Sequence, residues 1–330
     1  MVEKKTQSLA LRFGFRQCKI RKTYREPIES GGNRMSLLER YYFDGSKKLK
    51  LKKLPTDSKQ DDVEKEKILK KTAENQEKIF ALQDKLYAEE KEGLLIVLQA
   101  RDAAGKDSTI RHVMGGVNPQ GVQVYSYKQP SKEELQHDYL WRCVNNLPRR
   151  GMIAIFNRSY YEDVLVVKVH KLYRNYRMAS RCLKETDFIK KRYKHILNFE
   201  EYLHDESYRI VKIFLNVSSD KQKERFMERL NTPEKNWKFS RSDLTERELW
   251  DKYDKAYEDA VNETATKENP WYVLPADQKW YTRYLVSEAI LDVLKKIDPQ
   301  YPEVSKEEAE KFEFYRAELS DTDEGLKRNE

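Results

Sequence analysis

Asp102, Lys106, Asp107 and Ser108 crowd into the run Ala100-Arg101-Asp102-Ala103-Ala104-Gly105-Lys106-Asp107-Ser108. A lysine behind a turn of small residues is a device for holding phosphate. Backbone N–H groups and the positive end of a following helix point at one spot, where the ammonium adds a full charge. Two positions depart from the usual phosphate loop. The residue six before the lysine is Ala100 rather than Gly, and Asp107 stands where Ser or Thr is usual, with Ser108 one place later. A carboxylate inside such a loop repels a nucleotide unless a cation lies between them, so Asp102 suggests Mg²⁺ held at the loop. An ordinary strand-to-helix turn with a solvated lysine is the alternative.

Other chemistry-bearing residues stand apart in the chain. In Asn157-Arg158-Ser159-Tyr160-Tyr161-Glu162-Asp163 a guanidinium fork suited to phosphate oxygens precedes two carboxylates. Glu162 and Asp163 could hold metal or orient an acceptor, or they could be acids favoured at the start of a helix. Lys128 closes a candidate strand. Arg225, Arg229, Lys235, Lys238, Arg241 and Arg247 form a basic run, which could equally be a solvated helical face.

The elements that must position these groups alternate. Apolar runs at Leu94–Leu98, Gly121–Tyr127, Met152–Phe156, Tyr208–Val217 and Trp271–Pro275 read as strands. Between them, helical spacing is expected over 61–91, with Ile68, Ala73, Ile79, Leu82 and Leu86 as its stripe. More helix is expected from Lys106 to Val113 and over 185–204, 220–231, 244–262 and 281–297. Ser131-Lys132-Glu133-Glu134 reads as a capping box opening a helix. Strand–helix alternation implies a parallel sheet covered on both faces. Ligands bind such sheets beyond the carboxyl ends of the strands. The loop at 102–108, Lys128 and the 157–163 run all follow strands and should converge there. Trp237, Trp271 and Trp280 are expected in the core.

The chain of 330 residues has 36% charged, 38% hydrophobic and 12% aromatic residues, enough for a proper core. No apolar run is long enough to span a membrane. Three scattered cysteines form no metal pattern and suggest a reducing, cytoplasmic setting. Of the net charge of +8, the excess sits early: fifteen Lys/Arg face six Asp/Glu in residues 1–57, leaving the remainder close to neutral. A general nucleic-acid binder is thereby disfavoured. Residues 1–34 form a basic leader of atypical pattern. It could be a targeting segment, but Gly31-Gly32 just ahead of Met35 suits a start at Met35, with 1–34 translated only on paper. Residues 35–60 read as a basic arm, 61–300 as the main domain, and 301–330 as a charged, frayed helical tail.

Five separated motifs now carry a resemblance. DAAGKD (Asp102–Asp107), VNPQG (Val117–Gly121), IFNRSYYEDVLVVKVH (Ile155–His170), PEKNWKFSRSDLTER (Pro233–Arg247) and ENPWYVLPADQKWYTR (Glu268–Arg283) are similar to the second polyphosphate kinase family, over about residues 40–298. The resemblance implies a three-layer αβα P-loop kinase fold like that of thymidylate kinase, with 61–300 as the catalytic domain and a helical lid near 220–250. It also implies Mg²⁺-dependent phosphoryl exchange between inorganic polyphosphate and nucleotides. Catalytic roles fall to Asp102, Lys106, Arg158, Glu162 and Asp163, with Asp102 and Glu162 as metal ligands. Ala103, Ala104, Gly105, Asp107, Ser108, Thr109, Lys128 and Asn157 would bind phosphate or nucleotide. The basic run from Arg225 to Arg247 would be the lid, and with the 47–53 lysines it would form a polyphosphate track. Asn157, where many members carry Asp, resembles the third class, which phosphorylates both AMP and ADP to give ADP and ATP. The same likeness implies a homo-oligomer, with the long N-terminal helix as its candidate seam. An ATP-dependent nucleotide kinase and a phosphate-binding module without turnover remain competing readings.

Overall fold

The computed structural model describes residues 37–183 and 185–327. The basic leader, Cys18 and the choice between Met1 and Met35 lie outside them. Six strands build one sheet: β1 (Tyr42–Phe43), β2 (Gly93–Ala100), β3 (Val122–Ser126), β4 (Ile153–Asn157), β5 (Tyr208–Asn216) and β6 (Trp271–Pro275). Their order is β1-β6-β5-β2-β4-β3, parallel throughout except for β1, which pairs antiparallel with β6. β1, too short to leave a periodic signal, is the strand that sequence does not announce. The order reverses about β2, so the loop after β2 lies beside the end of β4, where ligands bind in such sheets.

Ten helices are described: α1 (Lys65–Glu89), α2 (Lys106–Val113), α3 (Trp141–Val144), α4 (Val166–His170), α5 (Glu185–Asp205), α6 (Ser219–Asn231), α7 (Arg241–Glu248), α8 (Trp250–Thr264), α9 (Lys279–Ile297) and α10 (Lys306–Lys327). Alternation along the strands divides the core into two layers. Leu94, Ile96 and Leu98 of β2 join the cluster of α1, α2 and α9, whereas Leu95 and Val97 join that of α5 and α8. The result is three layers, αβα, as the resemblance implies.

Several expectations need correction. The buried seam of α1 runs through Ile68, Thr72, Asn75, Ile79, Gln83 and Leu86, with Ala73 outside it. Asn75 donates to Ser287 and Glu288 of α9 at 3.0 and 2.5 Å. The seam is therefore filled from within the chain, and it lends no support to assembly through this helix. Gly121 lies flush against α1, where a Cβ would run into the Gln83 amide. The VNPQG motif thus seats a helix and carries no reacting group. The box at Ser131 forms, with Ser131 N–H to Glu134 at 2.6 Å and Glu134 N–H to Ser131 Oγ at 3.1 Å, but it opens only the 3-10 turn Glu134–Gln136.

The basic arm is a strap. Leu49 and Leu51 are buried, and their N–H groups donate to Asn262 (2.7 Å) and Glu258 (2.9 Å) of α8. Lys52 pairs with Asp251 at 3.0 Å, and Lys48 donates to the Asn262 carbonyl at 3.1 Å. Farther on, Thr56 Oγ1 donates to Asp277 at 2.7 Å and Ser58 N–H to Gln278 at 3.0 Å. Of the lysines assigned to a polyphosphate track, Lys48 and Lys52 meet these local acceptors while staying at the surface. Trp237 is 78% exposed, its indole N–H closing a local turn on the Glu234 carbonyl, so it is not core; Trp271 is.

Candidate active site

Ala100, the last residue of β2, is extended and pairs with Leu215. No left-handed backbone is required there, which explains why Ala serves where Gly is usual. The tight part of the loop comes next, with Ala103 at φ 58° and Gly105 at φ 103°. Gly105 tolerates that region freely; Ala103 does so at a cost of about 1 kcal/mol. α2 then starts at Lys106, leaving its first N–H groups without helical partners and facing the loop. Lys106 Nζ folds back to the Ala100 carbonyl at 3.1 Å. Burial, and then Arg158, pull the lysine's pKa down, against Asp102 and Glu162.

Arg158 follows β4 with φ 65°, a conformation rarely taken by a residue with a long side chain. Its N–H donates to the Leu98 carbonyl at 3.0 Å, tying the end of β4 to β2. Its guanidinium bridges two carboxylates, Asp102 at 2.8 Å and Glu162 at 3.6 Å. Glu162, and then Asp102, strengthen its hold on the proton. Burial raises the Glu162 pKa above the usual carboxylate value, opposed by Arg158 and Lys106. Gln99 donates to Glu162 at 2.8 Å and accepts from the Ser159 N–H and hydroxyl at 3.0 Å. Two cations and two carboxylates thus share one mouth, which is what exchange of highly charged groups requires.

A cleft of about 320 Å³ opens here. Ala100, Asp102, Arg158 and Glu162 form its floor, and Gln129, Arg247, Trp250 and Tyr253 are among its walls. Asn157 donates to Asp107 at 2.7 Å, joining the end of β4 to the loop from the other side. Ser108 Oγ donates to the Gly105 carbonyl at 3.0 Å, within the first turn of α2.

Other sequence candidates are placed elsewhere. Asp163 is buried in an ion pair with Arg192 and accepts from Tyr176 Oη at 3.1 Å, so it holds its turn to α5 and lies outside the cleft. Thr109 is buried among Ile96, Leu98 and Ile290. Lys128 is exposed, and Gln129 takes its expected place in the wall. The largest change concerns Arg225. Only 7% exposed, it donates to the carbonyls of Ala103 and Ala104, both at 2.9 Å, and to those of Ala276 and Asp277 at 2.8 and 3.1 Å. It braces the phosphate loop from behind and is no part of a lid.

The remaining lid candidates sit on α6, α7 and the 3-10 turn Pro233–Lys238. Arg229 donates to the Lys238 carbonyl at 3.0 Å, Lys235 pairs with Glu228 at 2.5 Å, and Arg241 is exposed. Arg247 donates to the Ser219 carbonyl (2.7 Å) and to Gln222 (3.0 Å) and lines the cleft.

Residues 62–302 match the model of the family described as Polyphosphate kinase 2. The chain belongs to the polyphosphate kinase 2 family. It is accordingly a kinase that moves phosphoryl groups between polyphosphate and nucleotides. A similar protein from Rhodopseudomonas palustris, named ADP-polyphosphate phosphotransferase, is 48% identical over 69% of this chain and 80% of its own. One from Meiothermus ruber, named AMP/ADP-polyphosphate phosphotransferase, is 49% identical over 67% of this chain and 79% of its own. Among solved structures, Polyphosphate Kinase 2 from Arthrobacter aurescens has a TM-score of 0.76 at 35% identity, covering 86% of this chain and 96% of that one.

Within this kinase, sequence reasoning passes over Arg101. Its guanidinium is buried, paired with Asp254 and set 4.2 Å from the Trp250 ring, which locks α8 onto the phosphate loop. Its place directly before Asp102 was a signal; its aromatic and acidic partners, some 150 residues downstream, left none.

Proposed function

We propose that the enzyme transfers the terminal phosphoryl group of inorganic polyphosphate to AMP and then to ADP, giving ADP and ATP, reversibly and with Mg²⁺. The observation that carries this reading is the Asp102–Arg158–Glu162 bridge beside Lys106, in the lining of the cleft. The names of the Meiothermus ruber and Rhodopseudomonas palustris relatives support the acceptors. Asn157, a neutral donor bonded to Asp107, supports the class that accepts the monophosphate as well as the diphosphate.

Two carboxylates on one guanidinium fit a metal such as Mg²⁺. Among the described residues no group of three or more ligating side chains gathers, and Mg²⁺ typically takes one or two carboxylates with substrate phosphate oxygens. Asp102 and Glu162 would hold it, and it would neutralise charge on the phosphates. The chain's own groups do the positioning. Lys106 and the backbone of Ala103–Ser108 hold the donor phosphates. Arg158 offers its fork to the phosphoryl group as it leaves one oxygen for another. Arg247, Trp250 and Tyr253 wall the cleft and exclude water. Polyphosphate and adenine nucleotides are then the partners, and the buried, unbridged Cys143 supports a reducing, cytoplasmic setting.

The test is nucleotide chromatography of purified protein with Mg²⁺, long-chain polyphosphate and AMP. ADP followed by ATP, neither forming without polyphosphate, is expected. ATP from ADP with AMP untouched would remove the monophosphate reading. Transfer only when ATP is the donor would remove the polyphosphate reading.

A further inference from the structure

Behind the active site lies a buried polar knot that phosphate binding does not use. Lys212 of β5 sits between Ile210 and Phe214, on the face of the sheet covered by α5 and α8. Its side chain is 0% exposed, and that of its partner Glu200 on α5 is 1% exposed, with Nζ to Oε2 at 2.5 Å. Lys212 also donates to the Thr264 carbonyl at 2.7 Å. The other Glu200 oxygen accepts from two consecutive tyrosines, Tyr160 Oη at 2.9 Å and Tyr161 Oη at 2.8 Å. Tyr161 Oη lies 3.0 Å from Thr264 Oγ1, which accepts from the Trp271 indole at 2.9 Å.

Stability alone is a poor reason for such a pair. Removing two charges from water costs several kcal/mol, and apolar replacements of similar volume are often as stable or more so. The informative feature is what the pair holds. Tyr160 and Tyr161 lie between Arg158 and Glu162, in the 3-10 turn Tyr160–Asp163. Arg158 sits at φ 65°, and a strained residue persists only when its surroundings over-determine it. The turn is tacked down in front by Gln99 on Glu162 and at its end by Arg192 on Asp163. At its middle, the tacks are two phenol hydroxyls on one carboxylate.

We infer that Glu200, charged and oriented by Lys212, is a positioning residue for phosphoryl transfer, acting through Tyr160 and Tyr161 to aim Arg158 and Glu162. The inference rests on the roles given to those two residues above. Lys212 fixes one oxygen of Glu200, leaving the other for both tyrosines. A rotated side chain would take that shared oxygen away from the two phenols. The turn would then relax, and Arg158 would lose its bridge between the carboxylates. A misplacement of about 1 Å is enough to cost about a hundredfold in rate.

The test compares Tyr160→Phe/Tyr161→Phe, which deletes two hydroxyls and keeps both rings, with Trp271→Phe. The latter loosens the same knot on its far side without removing either bond to Glu200. Rates are read with polyphosphate and ADP at 25 °C, on variants whose circular dichroism matches that of the unmodified protein, alongside the melting temperature of each. The expected result is a fall in kcat of about tenfold for the tyrosine variant, with KM for both substrates within about twofold. Trp271→Phe should lower the melting temperature as much or more and leave kcat within about twofold. Equal kcat in the two variants, or a loss confined to melting temperature, would overturn the inference. If the double variant is insoluble, either single tyrosine variant carries the same test, with a loss of about threefold expected. Glu162→Gln separates the underlying reading: full activity there removes the role of Glu162 and this inference with it. Loss there, with unchanged tyrosine variants, removes the positioning role alone.

Discussion

Arg225→Met separates two roles for one residue. In a lid, Arg225 would touch phosphate, and its loss would weaken transfer while sparing the fold. As a brace, it holds the carbonyls of Ala103 and Ala104 to those of Ala276 and Asp277, so its loss strikes the fold first. Four bonds at about 1 kcal/mol net each give a destabilisation of about 4 kcal/mol. For a domain of this size that is a fall in melting temperature of about 8 °C. The freed loop carries a left-handed Ala103, which nothing else pins as firmly, so KM for polyphosphate should also rise, by about tenfold. Arg225→Lys cannot reach all four carbonyls and should fall between. The assay pairs a thermal melt with initial rates at 25 °C over a range of polyphosphate concentrations. An unchanged melting temperature with lost activity would refute the brace and restore the lid. No change in either quantity would refute both.

Lys106→Ala should lower kcat by about a thousandfold, as removal of a transition-state donor does, while nucleotide binding measured by calorimetry weakens only modestly. Intact binding together with intact turnover would count against the loop as the phosphate site. Asn157→Asp sets a second carboxylate against Asp107, where a 2.7 Å hydrogen bond now lies, and should shift the ratio of AMP to ADP turnover by about tenfold; an unchanged ratio removes the residue's part in acceptor choice. Burial pushes the Cys143 thiol up to about 12, so at pH 8 only about one molecule in ten thousand carries the thiolate. Mass spectrometry after iodoacetamide should find Cys143 unlabelled in the folded protein and labelled once it is denatured.

What sequence discloses here divides by distance along the chain. The phosphate loop was legible because its parts are neighbours: an apolar strand, small residues and a lysine within a dozen positions. Strands β2, β4, β5 and β6 were legible because their apolar runs are almost wholly buried, and β3, at the exposed edge of the sheet, from its β-branched and aromatic residues. The αβα layering then follows from alternation. Illegible features each depend on a partner far away. Arg225 reads as one more charge in a basic helix until the Ala103 carbonyl, 122 residues earlier, is brought beneath it. Asp163 and Glu162 look equivalent side by side, yet one turns toward Arg192 and the other toward Arg158. The lysines of the strap advertise an anion track but meet Asp251 and the Asn262 carbonyl. The capping box at Ser131 is correct locally, yet only one turn follows it. Exposure of Trp237 defeats a rule of composition that large aromatics are buried, because the turn carrying it stands off the core.

The strap and β1 have a bearing on how the chain is made. β1 waits for β6, the strap for α8 and the start of α9, and α1 for α9. Each of these closures joins residues more than 200 apart. A nascent chain emerging from the ribosome therefore cannot complete its first elements until nearly all of residues 271–297 have been synthesised. Until then Ile68, Ile79 and Leu86 of α1 stand uncovered, and β6's place beside β5 stands open. Folding of this kinase is thus a late, end-to-end clasp, slow by the measure of contact separation. Chains halted before α9 are the species most open to chaperones and proteases.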